Sequence, residues 1–509
     1  MKADTSGLVR KSAFVFSYNV VGGVLGYITM FFALRLVGQS AWGIFGSALA
    51  LSGILGILAN LGVEATHIKK LTQKRETEEC MGTIVILKSF LGAIFLGGSF
   101  LIFFILGEFL GYKFESVYLR DATYLALFGI LIGSFANIFK TTYQAKLSAR
   151  RAVIPMFVQL LVQDLLIILF SFWYVFDKGV LPEIIGILFI YAYLLGQFGR
   201  LLIYSLWAIR DKISFKVPSK ALLKDYIIFS IPLALSGIVA TIQAYTDRAM
   251  LLFFWNYNEV GGYFTVQKLA LFITYFGASV SFFLYPAQSH YYENRQSMEF
   301  QRVTMKSEKY LSMISLPFVF FTLVMAPEIL NIFRASLISY ATPLIILMVY
   351  AYINVINRPY GSQITSANKP QEVMKVGFLQ ATLNVVLNAI FIPTSIWGFP
   401  LFGLKSTGAA LATLLSFTIG FLYFRYRVAK SIRTKYYYRI YLHIIAGSLA
   451  AIFIYFLKIY TEDLVDWYAW YSVLSSFILF SIIYVGILYL FKEVGKDEIN
   501  MVLGMLKPK

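Results

Sequence analysis

The sequence contains few of the residues on which metal binding, nucleophilic catalysis and disulfide formation depend. It has one cysteine, Cys80, and three histidines, His67, His290 and His443, in 509 residues. A single cysteine excludes an intramolecular disulfide framework. The sequence also lacks an HExxH segment, a Cys/His cluster and a GxxxxGK[ST] loop, so zinc chemistry and P-loop ATP hydrolysis are not expected. We therefore predict that the chain is not an enzyme and has no metal site.

Charge is also scarce, and its scarcity excludes a soluble globular protein. Only 14% of the residues are charged and 59% are hydrophobic, with a mean hydropathy of +0.72. Soluble domains carry about 25% charged residues. Long apolar runs recur from residue 13 to residue 491, so the whole chain is predicted to be a membrane domain. The loops between these runs leave no room for a catalytic domain outside the membrane.

Fourteen apolar runs are each long enough to cross ~30 Å of hydrocarbon as a helix. No alternating pattern typical of a membrane β-barrel is present, so an all-α fold is predicted. The predicted spans are 13–37, 42–65, 81–106, 119–142, 152–176, 183–207, 226–254, 258–288, 309–331, 340–364, 372–396, 406–427, 439–460 and 467–491.

The distribution of Lys and Arg predicts the orientation. With both termini cytoplasmic, 31 of the 44 Lys and Arg residues lie on the inside, 6 outside and 7 within spans. This asymmetry follows the positive-inside rule for a multi-pass protein of the cell membrane, plasma or inner. The net charge of +18 is thus explained by topology and by anionic lipid headgroups, and no nucleic-acid partner is expected.

Two matches at nearly one offset indicate a duplication. At an offset of 218, Gly261 falls on Gly43 and Tyr263 on Phe45; at 219, SQITSANKP lies over YQAKLSARR. Each half holds six spans and so enters the membrane from the same side, which predicts parallel lobes related by a pseudo-two-fold axis along the membrane normal, with a central cavity. The predicted divisions are 1–208 (first lobe), 209–225 (basic cytoplasmic linker), 226–430 (second lobe), 431–491 (helices 13 and 14) and 492–509 (cytoplasmic tail).

Cations outnumber acids inside the spans. A charge in the hydrocarbon region needs a partner, a wet cavity or a ligand, so the excess predicts a cavity that binds an anion such as a phosphate. Lys140 and Arg35 lie close enough to span ends to extend towards an interface instead. The predicted substrate-binding cations are Arg35, Lys88, Lys140, Arg200, Arg248, Lys268 and Arg358.

Two in-span acids, Asp247 and Asp164, are candidates for ion coupling. Asp247 either caps or pairs within its lobe, or forms a proton or Na⁺ site, because a small and polar stripe leads to it along its helix. No cofactor is expected. The energy for transport comes from an ion gradient, with Na⁺ or H⁺ as the coupling ion, from the membrane potential or from the substrate gradient.

Amide side chains form polar stripes in two spans. Gln380, Asn384 and Asn388 follow an i, i+4 spacing, and Gln159 with Gln163 occupies the duplicated counterpart. Such amides either bind sugar hydroxyls in a lumen or hydrogen-bond one helix to another, and the second interpretation is favoured.

Several segments together resemble a known transporter family. They are GGYFTVQKLAL from Gly261 after a helix with adjacent Asp and Arg, the segment SANKPQ followed by Asn384, Asn388 and Pro393, and GAALAT from Gly408. With the fourteen-span plan, these resemble the polysaccharide transporters, the Wzx-type oligosaccharide-lipid flippases of the multidrug/oligosaccharidyl-lipid/polysaccharide exporter superfamily. The resemblance covers nearly the whole chain, although its motifs concern packing rather than chemistry.

The resemblance implies alternating access and movement of a polyprenyl-(di)phosphate-linked oligosaccharide from the cytoplasmic to the outer leaflet, for cell-surface glycan biosynthesis. The implied partners are this substrate, membrane lipids and glycan-assembly enzymes. A drug/cation antiporter of the same superfamily is the second hypothesis, although a lining of acids would suit cationic drugs better. An integral-membrane glycosyltransferase or polymerase is the third, and it would need catalytic acids that are not visible.

Overall fold

The structure is a computed structural model that describes residues 5–73, 76–111, 113–177 and 179–495. Most of the predicted tail 492–509 and the first four residues of the N-terminus lie outside these ranges. In the described part of the chain, thirteen helical segments are long and apolar enough to cross a membrane. The prediction of an all-α, multi-pass membrane protein is thereby confirmed.

The α-helices follow one another with short connections. They are α1 (Thr5–Phe32), α2 (Gln39–Leu55), α3 (Val63–Thr72), α4 (Thr77–Leu110), α5 (Val117–Ala145), α6 (Ala149–Phe176), α7 (Pro182–Arg210), α8 (Lys220–Phe254), α9 (Tyr257–Leu271), α10 (Thr274–Glu293), α11 (Ser297–Phe333), α12 (Ala341–Ser366), α13 (Pro370–Phe391), α14 (Lys405–Ile432), α15 (Ile440–Tyr460) and α16 (Trp470–Leu490). A π-helical turn (Ala33–Val37) follows α1, and a hairpin of β1 (Ser395–Ile396) and β2 (Phe399–Pro400) precedes α14.

The predicted eighth span, 258–288, is not one continuous helix. It is divided into α9 and α10 by a turn at Phe272 and Ile273, and neither helix is among the thirteen candidate spans. At the turn, the amides of Phe272, Tyr275 and Phe276 each bond the carbonyl three residues earlier. This tighter winding interrupts the α-helical pattern, and a hydropathy count does not detect it.

The predicted second span, 42–65, is interrupted in the same way. After α2, a 3-10 turn (Gly56–Ala59) leads to α3. Gly62 has a φ of +76°, and a Cβ added there would lie 2.5 Å from the Ser230 carbonyl oxygen, so only glycine fits. At an offset of 218, Leu55 falls on Ile273, so the two breaks occupy matching positions in the two halves.

Helix α2 and the start of α9 cross at residues related by the same offset. Ser40 Oγ donates to Asn258 Oδ1 at 2.8 Å, and a Cβ added to Gly261 would lie 3.0 Å from Gly43 Cα. A Cβ added to Gly46 would lie 2.8 Å from the ring of Phe264. Contacts between residues i and i+218 are what a local two-fold axis produces, in agreement with the predicted duplication.

The helices form two compact units. Unit 1 comprises Met1–Thr265 and Val385–Ser406, and unit 2 comprises Val266–Asn384 and Thr407–Lys509. The sequence assigns α8 to the second lobe, but α8 belongs to unit 1 because it packs on α3. The hydroxyls of Thr66 and Ser230 lie 2.9 Å apart, and Lys70 Nζ lies 2.6 Å from Asp225 Oδ2. The units therefore follow packing rather than repeat boundaries, and the lobe boundaries stay a prediction.

In unit 2, the two C-terminal helices pack on α11. Phe321 and Met325 of α11 share an apolar cluster with Ala450 and Ile454 of α15 and with Phe480 of α16. Van der Waals packing of these side chains holds the two C-terminal helices against α11.

Candidate functional site: a charged cavity in unit 1

Unit 1 contains a cavity of about 510 Å³, within the range of small-ligand sites. It lies where the break after α2 brings α3, α5 and α8 together. The broken backbone matters because non-helical chain at membrane depth is tolerated only where it is buried in protein or faces water. The polar and charged residues in its wall are Asn60, Glu64, Lys140, Thr141, Gln144, Thr241 and Tyr245.

Lys140 is the cation in the wall of this cavity. It lies on α5 one turn before Gln144, so both side chains reach the same space. Within the described part of the chain, the Lys140 ammonium makes no hydrogen bond and no ion pair. Its side chain is half-buried and faces the cavity, and the alternative that Lys140 extends to an interface stays a prediction.

Glu64, the carboxylate of the wall, is already engaged. Lys88 Nζ lies 2.8 Å from Glu64 Oε1, and Asn137 Nδ2 donates to the same oxygen at 3.0 Å. Lys88 also donates to Ser134 Oγ at 2.9 Å and approaches the Ala59 carbonyl at 3.3 Å. An ammonium has three protons, so these contacts saturate it.

The sequence predicts Lys88 as a substrate-binding cation, but in the structure its side chain lies outside the cavity wall. It is 1% exposed, it does not line the cavity, and a carboxylate balances its charge. Its geometry holds Glu64 in position, and substrate contact by Lys88 would require these bonds to break. Direct binding by Lys88 stays a prediction without a contact in this structure.

Two buried arginines of unit 1 have carbonyl or aromatic neighbours. Arg200 Nη2 donates to the Gly133 carbonyl at 2.9 Å. Arg248 Nη2 donates to the Ala244 carbonyl at 3.1 Å, and its guanidinium lies 4.5 Å from the ring centre of Phe264. Among the described residues, no carboxylate lies within ion-pair distance of either guanidinium. Unit 1 thus keeps a surplus of positive charge.

Asp247 and Asn388 are brought together. Asn388 Nδ2 donates to Asp247 Oδ1 at 2.7 Å, and Tyr263 OH donates to Oδ2 at 2.6 Å. Asp247 is 3% exposed. The sequence separates these residues into an ion-coupling candidate and a lumen amide, yet they form one buried cluster that joins α8, α9 and α13. The remaining acid, Asp164, is buried in α6.

The other amides lie at helix contacts. A Cβ added to Gly196 would lie 2.8 Å from the Gln159 carbonyl oxygen and 3.4 Å from Gln163 Cβ. In unit 2, the Gln380 side chain lies across Gly420 and Asn384 Nδ2 donates to Thr413 Oγ1 at 3.1 Å. The Asn384 bond is of the kind that the favoured interpretation describes, in which amides bond one helix to another, whereas for Gln159, Gln163 and Gln380 that interpretation stays a prediction.

The remaining predicted cations do not join the unit 1 cavity. Arg35 is exposed on the π-helical turn. In unit 2, Lys268 is half-buried on α9, and Arg358 Nε lies 3.4 Å from Asn354 Oδ1 while its Cδ packs beside Gly277. At an offset of 218, Lys140 falls on Arg358, so each repeat carries a cation at this helix position.

In the described ranges, no group of three or more His, Cys, Asp and Glu side chains forms a metal site. The coupling ion therefore stays a prediction that rests on Asp247 and Asp164. Sequence reasoning also missed Asn60, Gln144 and Tyr245, which become neighbours only through the break after α2. The i, i+4 spacing of Lys140 and Gln144 was the signal available for that part of the wall.

Among curated proteins, the chain is 23% identical over 440 residues to the probable low-salt glycan biosynthesis flippase Agl15 of Haloferax volcanii, with 85% of each chain covered. It is 22% identical over 441 residues to the probable flippase AglR of the same organism, with 84% of each covered.

Two solved structures share the fold. The lipid II flippase MurJ, in an inward closed conformation, has a TM-score of 0.72 at 16% identity over 94% of this chain and 98% of that one. An inward-facing multidrug resistance MATE family transporter of the MOP superfamily has a TM-score of 0.63 at 18% identity over 81% and 95%. The chain therefore shares its fold with these two proteins.

The family model described as "Polysaccharide biosynthesis protein" matches residues 8–292. This range covers more than half of the 509 residues, including every helix that lines the unit 1 cavity. The chain belongs to the polysaccharide biosynthesis protein family.

Proposed function

We propose that this protein is a flippase that moves a lipid-linked oligosaccharide from the cytoplasmic to the outer leaflet of the cell membrane. The observation that carries the proposal is the Lys140 ammonium, which faces a cavity of about 510 Å³ without a carboxylate partner among the described residues. A cation without a direct ion pair in a half-buried wall favours a phosphate over a neutral or cationic ligand. The family and the names of the two archaeal relatives support the same class of substrate.

The mechanism of this proposal is alternating access between the two six-span repeats. The phosphate headgroup and its sugars pass through a wet path while the lipid tail stays in the hydrocarbon. Both termini are cytoplasmic in this proposal, in accordance with the Lys and Arg distribution. The coupling ion is Na⁺ or H⁺, with Asp247 and Asp164 as its candidate carboxylates. Glycan-assembly enzymes that supply and consume the substrate are the proposed protein partners.

A drug/cation antiporter is the competing function, because the fold is shared with a MATE transporter. Such a transporter needs a carboxylate that is available to a cationic drug. Glu64, the carboxylate of the cavity wall, already accepts hydrogen bonds from Lys88 and Asn137. The geometry therefore favours the anionic substrate.

Transfer between leaflets tests the function directly. The purified full chain is reconstituted in liposomes with a fluorescent polyprenyl diphosphate oligosaccharide, a polyprenol glycoside that lacks phosphate, or a cationic dye. We expect protein-dependent transfer of the first compound alone. Transfer of the phosphate-free glycoside at the same rate would contradict an anion-binding site. Transport of the dye alone would support the antiporter.

A further inference from the structure

The linker between α7 and α8 presents apolar side chains to the surroundings beyond the ends of the spans. Within residues 211–219, Val217 is 86% exposed and Phe215 is 53% exposed. In the neighbouring connection between α5 and α6, Leu147 is 64% exposed and has a φ of +54°, a conformation rare for a leucine. We call Leu147, Phe215 and Val217 the linker face.

The linker is held in place by its backbone. The Lys216 amide donates to the Glu78 carbonyl at 3.1 Å, and the Ser219 amide donates to Glu79 Oε1 at 2.7 Å. A Cβ added to Gly82 would lie 1.9 Å from the Lys216 carbonyl oxygen, so the linker packs on α4 where only glycine leaves room. The exposure of the linker face is therefore fixed by packing.

Side chains alternate along this extended segment. Ser214 Oγ donates to Glu78 Oε1, and Lys216 Nζ lies 3.2 Å from Glu76 Oε1, so the even-numbered residues bond the start of α4. Successive side chains of an extended chain point to opposite sides, which directs Phe215 and Val217 away from the protein.

Asp211 joins the linker to the connection that carries Leu147. Its carboxylate accepts a hydrogen bond from Tyr143 OH at 3.0 Å and pairs with the Arg151 guanidinium. Both connections directly follow membrane-spanning helices, α5 and α7, and directly precede others, α6 and α8. The linker face therefore lies at the ends of helices that are long and apolar enough to cross a membrane.

The surroundings of the linker face are basic. The acids nearby are engaged: Asp211 with Arg151, Glu76 with Lys216, and Glu78 and Glu79 with Ser214 and Ser219. The exposed cations of the two connections and their flanking helix ends are Lys146, Arg150, Arg151, Arg210, Lys212, Lys216 and Lys220. Four acids against seven cations leave a positive surface around exposed apolar side chains.

We propose that the linker face inserts into the headgroup region of an anionic leaflet and anchors the connection between the two repeats to the membrane surface. Apolar side chains among Lys and Arg are the combination that binds an interface: the side chains enter the acyl boundary and the cations bind anionic headgroups. The anchor fixes one end of α7 and of α8 relative to the bilayer. It is independent of the transported substrate.

A fluorescent label at position 217 tests the anchor. Cys80, the single cysteine, is buried, so a cysteine introduced by Val217→Cys in the full chain is the accessible site for an environment-sensitive nitrobenzoxadiazole label. The labelled protein is placed in nanodiscs of phosphatidylcholine alone or of phosphatidylcholine with phosphatidylglycerol. We expect emission that is brighter and shifted to shorter wavelength, with the larger shift in the anionic discs. Phe215→Cys provides a second reporter on the same face.

Lys216→Cys is the matched control, because position 216 faces α4 and lies between the two reporters. Its label should respond less to the anionic lipid than the label at 217. Water-like emission at 215 and 217 in both kinds of disc would overturn the proposal. Emission that shifts only when a soluble protein is added would also overturn it, because the linker face would then be a protein-docking surface.

Discussion

The interiors of the two units differ in how they balance buried charge. In unit 2, Arg425 Nη2 lies 2.6 Å from Glu308 Oε1, and Lys458 pairs with Glu328. In unit 1, Lys140 faces a cavity, and Arg200 bonds a backbone carbonyl instead of a carboxylate. Unit 2 therefore pairs these two cations with carboxylates, although among the described residues Arg358 in the same unit approaches only an amide oxygen. Unit 1 pairs Lys88 with Glu64 and also retains Lys140, which has no ion pair in the described ranges, beside a space that a ligand can enter.

This difference separates charges that hold structure from charges available for binding. Two of the unit 2 pairs connect α11 with the C-terminal part of the chain: Lys458–Glu328, and Lys309–Glu493 at 3.8 Å. Arg439 also lies 2.8 Å from Glu493. A buried pair of this kind contributes orientation more than net stability. The surplus in unit 1 has no such structural partner, and we assign it to an anionic substrate.

The largest expected effect comes from breaking the one buried pair of unit 1 beside the cavity. Lys88→Met leaves the Glu64 carboxylate half-buried in a membrane interior without its cation, which should lower the free energy of unfolding by about 3–5 kcal/mol. Thermal unfolding of the purified protein in detergent measures the loss. The double variant Lys88→Met with Glu64→Gln removes the unpaired charge and should regain most of the stability.

If the Lys88→Met protein instead has the melting temperature of the wild type, Glu64 must be hydrated or protonated in the native protein. The distinction between a structural Lys88 and a binding Lys140 would then fail. The double variant distinguishes this outcome from simple loss of packing, because a packing defect would persist in it.

A smaller loss of stability is expected where α2 crosses α9. A Cβ added to Gly43 would lie 2.0 Å from the Tyr257 carbonyl oxygen, so Gly43→Ala forces the backbones apart. Such overpacking typically costs about 1–3 kcal/mol. Gly26→Ala in α1 is the matched control, since a Cβ there meets nothing within 4 Å. Equal melting temperatures for the two variants would contradict the close crossing in unit 1.

The smallest effect is expected from neutralising a matched pair in unit 2. The double variant Arg425→Met with Glu308→Gln removes both charges of the pair. The Tyr437 amide donates a hydrogen bond to Glu308 Oε2 at 2.9 Å, and the glutamine retains an oxygen that can accept this bond. Replacing a whole buried pair is often neutral for stability, so transport should stay close to the wild-type rate. A strong loss of transport in a protein that still folds would show that unit 2 pairs also serve the substrate.

Length and hydropathy sufficed to predict the helical membrane fold, because both are properties of single segments. They could not predict the breaks at Gly56–Ala59 and at Phe272, which depend on contacts with other helices, such as the approach of Gly62 to Ser230. The breaks in turn decide the site. Glu64 falls at the end of the predicted span 42–65, and only the turn before α3 brings its carboxylate to Lys88.

The sequence identified the cations within the predicted spans, but the surroundings of each cation in the fold could not be predicted from its position in the sequence. Lys140 and Arg35 have the same signature in the sequence, a cation near a span end, yet Lys140 lines a cavity and Arg35 is exposed. The i+218 relation identified Gly43 and Gly261 as equivalent positions of the two repeats but did not predict their contact, which the structure shows. A duplication can bring equivalent residues together about a shared axis. The bond between Asp247 and Asn388 spans 141 residues and left no local signal.

The most direct measurement of the central claim is the rate of lipid-linked oligosaccharide transfer by Lys140→Gln and Lys140→Arg in liposomes. Loss of one charge-assisted hydrogen bond to a phosphate, about 1.5–3 kcal/mol, predicts that Lys140→Gln transfers about ten-fold more slowly or worse. Its melting temperature should be unchanged, since Lys140 makes no hydrogen bond in the described structure. Lys140→Arg keeps the charge and should retain most of the activity. A folded Lys140→Gln protein that transfers the substrate at the wild-type rate would contradict the account.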